Sequence, residues 1–221
     1  MHQESDRPTQ AANGPLMLDR PVPSFVARST QGTISSEDYR GRWLILFAHP
    51  ADFTPVCTSE FIALQRAHKE FEMRECALLG LSVDSIYAHV AWVRNIKEKF
   101  GVEIGIPIIE DISMAISTAY GMLDTASTST ATVRAVFFID PRGNLRAKIF
   151  YPMQIGRSVP EIIRVLSALQ ASDEQTMSTP EGWKPGEKLV PMAPTTLKEA
   201  NAISSMPDMT EWYYTETKTL N

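Results

Sequence analysis

Trp43 to His49 (WLILFAH) is a short apolar run bounded by Gly41 and Pro50, and it limits the fold more than any other segment. A run this short, unbroken by polar residues and closed by turn formers, reads as a buried strand. The segments after it alternate in type. From Pro55 to about Met73, apolar Phe61, Leu64, Ala67, His68 and Phe71 recur at helical spacing. Cys76 to Val83 reads as a second strand. Ile86 to Phe100 reads as a second helix, with Gly101 placed where a helix C-terminus favours glycine.

Pro107 to Ile109 is a short strand candidate and Ile112 to Tyr120 a short helix candidate, followed by a Ser/Thr-rich loop over Ser127 to Thr132. Val133 to Asp140 and Leu145 to Tyr151 flank the turn signal Pro141-Arg142-Gly143-Asn144, which predicts a hairpin. A helix over Val159 to Gln170 follows. Strand and helix alternating, then an antiparallel pair, predict an α/β fold whose mixed central sheet is flanked by helices.

The texture changes from Ser172. Pro180, Pro185, Pro191 and Pro194 exclude a compact helix or a central strand, so this stretch is expected to be an extended arm. Thr195 to Ile203 is a short helix candidate, and Trp212, Tyr213 and Tyr214 in a polar setting suggest docking on another subunit. The expected organisation is a disordered polar tail over 1–14, a globular domain over 15–171 and an arm over 172–221.

Composition narrows the function. A formal net charge of -5 over 221 residues argues against a nucleic-acid partner, which needs a concentrated basic surface. No apolar run approaches the roughly 20 residues that cross a bilayer, and Met1 to Gly14 lacks a signal-peptide core, so a cytoplasmic protein without membrane association is expected. Cys57 and Cys76 are the only cysteines, which excludes a disulfide framework.

The chemistry points to the loop between the first strand and the first helix, His49-Pro50-Ala51-Asp52-Phe53-Thr54-Pro55-Val56-Cys57-Thr58-Ser59-Glu60. Thr54 suits the N-cap and Pro55 the first helical position, which puts Cys57 third in the helix, where a capping box carries a carboxylate. The free N–H groups and the positive dipole end favour a thiolate there. On these residues alone Cys57 is either a nucleophile or a small buried inert cysteine.

Pro50, Thr54 and Cys57 match the Pro-x-x-x-Thr-x-x-Cys signature of peroxiredoxins, and Val133 to Asp140 (VRAVFFID) looks like the family strand that begins with the active-site arginine. Tyr151-Pro152, Gly156-Arg157 and Gly182-Trp183-Lys184-Pro185-Gly186 resemble the family's later segments, so the resemblance spans about Leu16 to Pro194. It implies a thioredoxin-like fold in which Cys57 is the peroxidatic cysteine, Thr54 and Arg134 bind the peroxide, and Pro50 shields the site from water. Thr54, Arg134 and the helix amides are expected as hydrogen-bond donors to the peroxide. Glu60, one turn beyond Cys57, is expected to orient Arg134 or Arg157.

His49, at the end of the strand before Pro50, is placed with Glu60 and Arg157 as a residue supporting the site, with a strand-end histidine satisfied by backbone as the alternative, and is given no proton transfer. His2, His68 and His89 fit no ligand pattern with the cysteines, so neither a metal nor another cofactor is expected.

Attack on hydrogen peroxide or an organic hydroperoxide leaves a sulfenic acid on Cys57, and a second thiol must then resolve it. The arm carries no cysteine. Cys76 lies beyond the far end of the helix, and about sixteen residues at 1.5 Å each make roughly 24 Å, where a disulfide needs Cα atoms within about 7 Å. The chain is therefore similar to the one-cysteine class, with an external reductant such as glutathione, a thioredoxin-type protein or another small thiol. The resemblance further implies a homodimer or a ring of dimers. Three other readings stand beside this one: a thioredoxin-like disulfide exchanger, disfavoured because Thr54 occupies the place of a second cysteine; a peroxide sensor or chaperone switched by Cys57 oxidation; and a structural adaptor.

Overall fold

A computed structural model describes residues 16–123, 128–205 and 210–217. The tail expected over 1–14 and the first residue of the Ser/Thr-rich loop, Ser127, lie outside them. The chain divides into two compact units, Met1–Arg157 and Ser158–Asn221.

In the first unit, β1 (Val26–Ser29), β2 (Gly32–Ser35), β3 (Trp43–Ala48), β4 (Cys76–Ser82), β5 (Ile108–Glu110), β6 (Arg134–Ile139) and β7 (Leu145–Tyr151) form one mixed sheet in the order β2-β1-β5-β4-β3-β6-β7. The apolar run forms β3, and every one of its residues is buried. It pairs parallel with β4, from Trp43 opposite Cys76 to Ala48 opposite Leu81, and antiparallel with β6. Parallel neighbours need a crossover. Helices α1 (Pro55–Arg66) and α2 (His68–Glu72) supply one between β3 and β4, and α3 (Ile86–Phe100) supplies the next, between β4 and β5.

Strand alternation sorts the core. Leu44, Leu46 and Ala48 share a cluster with Leu79, Leu81, Ile109, Phe137 and Ile139. Phe47 packs on Phe61 of α1, ring centroids 5.1 Å apart, and Phe61 meets Trp92 of α3 at 5.0 Å. Gly80 of β4 makes room for this contact, because a Cβ there would sit 2.8 Å from the Phe61 ring.

Helix α3 has the expected bounds, with Ser85 accepting from the Ala88 amide and Gly101 in the left-handed conformation (φ 68°). The hairpin also forms as expected, and the Asp140 carboxylate accepts from the amides of Arg142 and Asn144 in its turn. Two expectations are corrected. The helix expected over Pro55 to Met73 breaks at Ala67 (φ -88°, ψ 1°) into α1 and α2. The apolar pattern runs through the break, because Phe71 beyond it is also buried. Helix α4 is only Ala115–Ala119, because Met114 takes φ 58° and the Asp111 carboxylate accepts from the amides of Ile116 and Ser117. The hairpin β1–β2 has too little apolar content to be read from periodicity.

In the second unit, α5 (Val159–Gln175) runs five residues past the expected end at Gln170 and stops where Thr176 turns left-handed (φ 52°). The arm is less extended than expected, since Met177, Trp183 and Leu189 form a small buried cluster. Helix α6 (Leu197–Ser204) starts with a capping box between Thr196 and Glu199.

Candidate active site

The loop from the end of β3 to the start of α1 is held at each step. Pro50 is buried, Asp52 donates its amide to the Asp84 carboxylate at 3.0 Å, and Phe53 takes a left-handed φ of 55°. Thr54 is the N-cap of α1 by backbone conformation, with Pro55 in the first turn. That places Cys57 third in the helix, as the sequence predicts, with its side chain buried.

Thr54 departs from expectation. Its hydroxyl makes no cap bond and instead donates to the Ala51 carbonyl at 2.9 Å. A hydroxyl has one proton and two lone pairs, so with its proton on Ala51 it can accept a further bond.

Arg134, the first residue of β6, reaches Cys57 because β6 lies beside β3 in the sheet. Its Nη1 sits 3.3 Å from the Cys57 sulfur and 2.9 Å from Glu60 Oε2, while its Nε donates to the Met153 carbonyl. Glu60 meets both arginines rather than one. Arg157 donates to Glu60 from its amide, Nε and Nη2 at 2.7–2.9 Å, and its Nη1 donates to the carbonyls of Ala48 and Ala135.

The side chains of Arg134, Arg157 and Glu60 are almost fully buried. Burial raises the Glu60 carboxyl, but the hydrogen bonds and charge of Arg157, with the charge of Arg134, outweigh it and hold the group below its ordinary value. Two guanidinium cations against one carboxylate leave one positive charge uncompensated. A thiolate at Cys57 balances it.

The His49 ring is bound not by backbone but by Asp52, with Nε2 2.8 Å from Oδ1, and its Nδ1 has no partner among the described residues. Burial holds the His49 imidazole below its ordinary value despite that carboxylate. The second Asp52 oxygen meets Nδ1 of His89 at 2.8 Å. Sequence reasoning set His89 aside and did not single out Asp52. The spacing of His89 and Trp92 on one face of α3 is the signal that was available. Trp92 packs its ring 5.2 Å from His49 and donates to Thr58.

Ligand-type atoms of His49, Asp52 and His89 lie within 4.8 Å of one another. The facing atoms are already hydrogen-bonded in pairs, and we read the cluster as a hydrogen-bond network.

Cys76 opens β4 opposite Trp43, whereas Cys57 follows the other end of β3. The strand between those ends spans about 20 Å at ~3.3 Å per residue. Burial pushes the Cys76 thiol up to about 12.

The AhpC/TSA family profile matches residues 18–148, and the profile for the C-terminal domain of 1-Cys peroxiredoxin matches residues 168–203. A peroxiredoxin of Aquifex aeolicus is 44% identical over 213 residues, covering 91% of this chain and 96% of its own. Among solved structures, the yeast mitochondrial 1-Cys peroxiredoxin, studied for thiol resolution via glutathione/thioredoxin systems, matches with a TM-score of 0.81 and 35% identity over 91% of this chain and 100% of its own. A cysteine-to-serine mutant of the Peroxiredoxin 6 of Arenicola marina matches with a TM-score of 0.78 and 32% identity over 90% and 96%.

Proposed function

Because the chain belongs to the AhpC/TSA family, in the one-cysteine class of peroxiredoxins, we propose that Cys57 carries its thiol-dependent peroxidase activity with Arg134, Thr54 and Pro50 around it. The observation that carries this assignment is the Arg134 Nη1 to Cys57 Sγ distance of 3.3 Å at the start of α1.

The Cys57 thiolate attacks one peroxide oxygen. The S–O bond forms as the O–O bond breaks, sulfur is oxidised to the sulfenic acid, and the peroxide is reduced to water or an alcohol once the leaving oxygen takes a proton. Arg134 and the helix amides face negative charge that moves from sulfur to the leaving oxygen, so fixed donors stabilise the transition state without reorganising. Thr54 accepts from the peroxide O–H and orients it. Pro50, buried at the head of the loop, keeps water out.

Recycling needs two equivalents of external thiol. The first displaces water from the sulfenic acid to give a mixed disulfide, and the second releases Cys57 as thiol and leaves with the first as a disulfide. Glutathione or a thioredoxin-type protein fits this chemistry, and Cys76 at the far end of β3 does not. Because the Cys57 side chain is fully covered (0% exposed), a thiol reaches it only after the first turn of α1 moves.

The reading extends to a reducing, cytoplasmic setting, supported by two free cysteines, and to a homodimer, supported by the exposed Trp212, Tyr213 and Tyr214. It also divides the chain functionally into a peroxidase domain over 15–171 and an arm over 172–221. Among the described residues, no helix is long and apolar enough to cross a membrane.

The test is stopped-flow consumption of hydrogen peroxide by reduced wild type and Cys57→Ser, with mass spectrometry of Cys57 afterwards. Consumption that depends on Cys57 and leaves a sulfenic or sulfinic acid without a bond to Cys76 supports the assignment. Equal, slow consumption by both proteins overturns it.

A further inference from the structure

Below the peroxide-binding loop, the Asp52 carboxylate lies between two buried imidazoles, His49 and His89, each 2.8 Å from one of its oxygens. The two rings differ in what they face. His89 has an acceptor at both nitrogens, the Asp52 carboxylate at Nδ1 and the Ile109 carbonyl at Nε2 (3.1 Å). A carbonyl oxygen cannot donate, so Nε2 carries a proton. The bonds from His49 and His89 outweigh the burial of Asp52 and hold its carboxyl below its ordinary value, so the carboxylate is what both rings are bonded to. His49 faces the Asp52 carboxylate with Nε2, and burial holds its imidazole below its ordinary value, so its one proton belongs on Nε2.

We infer that His89 is a positioning residue for the peroxidase reaction: bonded to Asp52 at one ring nitrogen and to the Ile109 carbonyl at the other, it fixes the loop that presents Pro50 and Thr54 to the peroxide. The inference rests on the reading of Cys57 as the peroxidatic cysteine.

The loop gives this brace something to hold. Asp52 lies midway between Pro50 and Thr54, and it is tied twice, by its carboxylate to the histidines and by its amide to Asp84. Phe53 follows in a left-handed conformation that a non-glycine residue keeps only when its neighbours over-determine it. Ala51 accepts the hydroxyl of Thr54, so a shift of Asp52 moves both the carbonyl that orients Thr54 and the N-cap that sets Cys57.

Helix α3 braces the same segment again one turn on, where Trp92 donates to Thr58, which in turn donates to the Thr54 carbonyl. The groups that face His89 are Asp52 from the loop, the His49 ring at the end of β3, Ile109 and the Glu110 charge from β5, and on its own helix the Ser85 carbonyl, which takes its amide.

Two measurements on the reduced full-length protein test the role. In 15N NMR of the imidazoles, His49 and His89 should each show a ring nitrogen hydrogen-bonded to Asp52, and both signals should shift in Asp52→Asn. Rapid-quench measurement of Cys57 oxidation by hydrogen peroxide should find His89→Leu slower by about tenfold or more, since small displacements of reacting groups cost factors of this size. His89→Gln, which restores one donor towards Asp52, should recover part of the rate.

Imidazole signals that do not respond to Asp52→Asn, or a His89→Leu protein whose Cys57 oxidises within about twofold of wild type, would overturn the inference. If wild-type Cys57 itself failed to oxidise, the peroxidase reading would fall and the positioning role with it. The NMR result would still separate that failure from an error in the hydrogen-bond assignment.

Discussion

Arg134 places its Nη1 3.3 Å from the sulfur of Cys57, although 77 residues separate the two in the chain. The contact sets a positive charge beside the sulfur and, on the reading of Cys57 as the peroxidatic cysteine, a donor for the oxygen that becomes negative as the O–O bond breaks. Arg134→Gln should slow Cys57 oxidation by about 10²-fold or more, the usual cost of one fixed donor in such a site. Arg134→Lys should recover only part, because a single ammonium cannot serve Cys57, Glu60 and the Met153 carbonyl as the guanidinium fork does. Stopped-flow rates of the two variants check this, and a lysine variant as fast as wild type would refute the need for the fork.

Glu60 holds Arg134 and Arg157 together, and its loss leaves two buried cations facing each other. Glu60→Gln should destabilise the fold by about 3–5 kcal/mol, since removing one partner of a buried ion pair strands the other. Urea unfolding of the reduced protein measures it. A change below about 1 kcal/mol, the range of exposed pairs, would show that the cluster is hydrated.

The pH dependence of stability carries the signature of His49. Burial sets its folded value below the ordinary 6.5, so between the two the unfolded chain binds the extra proton. Its contribution is therefore complete above about pH 6.5 and erodes as pH falls. Glu60 has the same sign lower down: its folded value lies below the ordinary 4.5, so its contribution is lost in acid. Thermal unfolding from pH 7 to pH 4 should show Tm falling in both ranges, with a shallower fall between pH 6.5 and 5 in His49→Gln. Identical slopes would remove His49 from the account.

Cys76 is held as a thiol by burial at the opposite end of β3 from Cys57. Cys76→Ser should oxidise and recycle with an external thiol at wild-type rates. A Cys57–Cys76 disulfide in peroxide-treated wild type, read by non-reducing peptide mapping, would contradict this.

Gly80→Ala tests the packing that seats α1. The added Cβ would lie 2.8 Å from the Phe61 ring, so Phe61 and the helix must shift. A loss of about 1–3 kcal/mol in urea unfolding is expected for overpacking of this kind. Unchanged stability would mean that the ring moves freely.

Much of this was legible along the chain. The apolar run over Trp43 to Ala48, the bounds of α3 with its Gly101 cap and the turn over Pro141 to Asn144 depend on residues within a few positions of one another, which is the range over which periodicity and capping act. The place of Cys57 in α1 is local for the same reason. The break at Ala67 and the hairpin β1–β2 were not legible, because apolar spacing ran through the first and left almost no mark on the second. The Thr54 hydroxyl bonds to the carbonyl three residues back, where its N-cap position suggested a bond to the helix amides.

What the chain determined by itself was the succession of elements, the helix start that favours a thiolate, and the absence of a cysteine in the arm. The tertiary structure decided the rest. Strand β6 settles beside β3 and brings Arg134 to Cys57. The crossover through α3 brings His89 and Trp92 beneath the loop. Glu60 is buried between two arginines drawn from β6 and the segment after β7. Such meetings depend on which strands pair and on how much charge a dry interior must balance, and both are properties of the folded assembly of elements that short-range spacing does not carry.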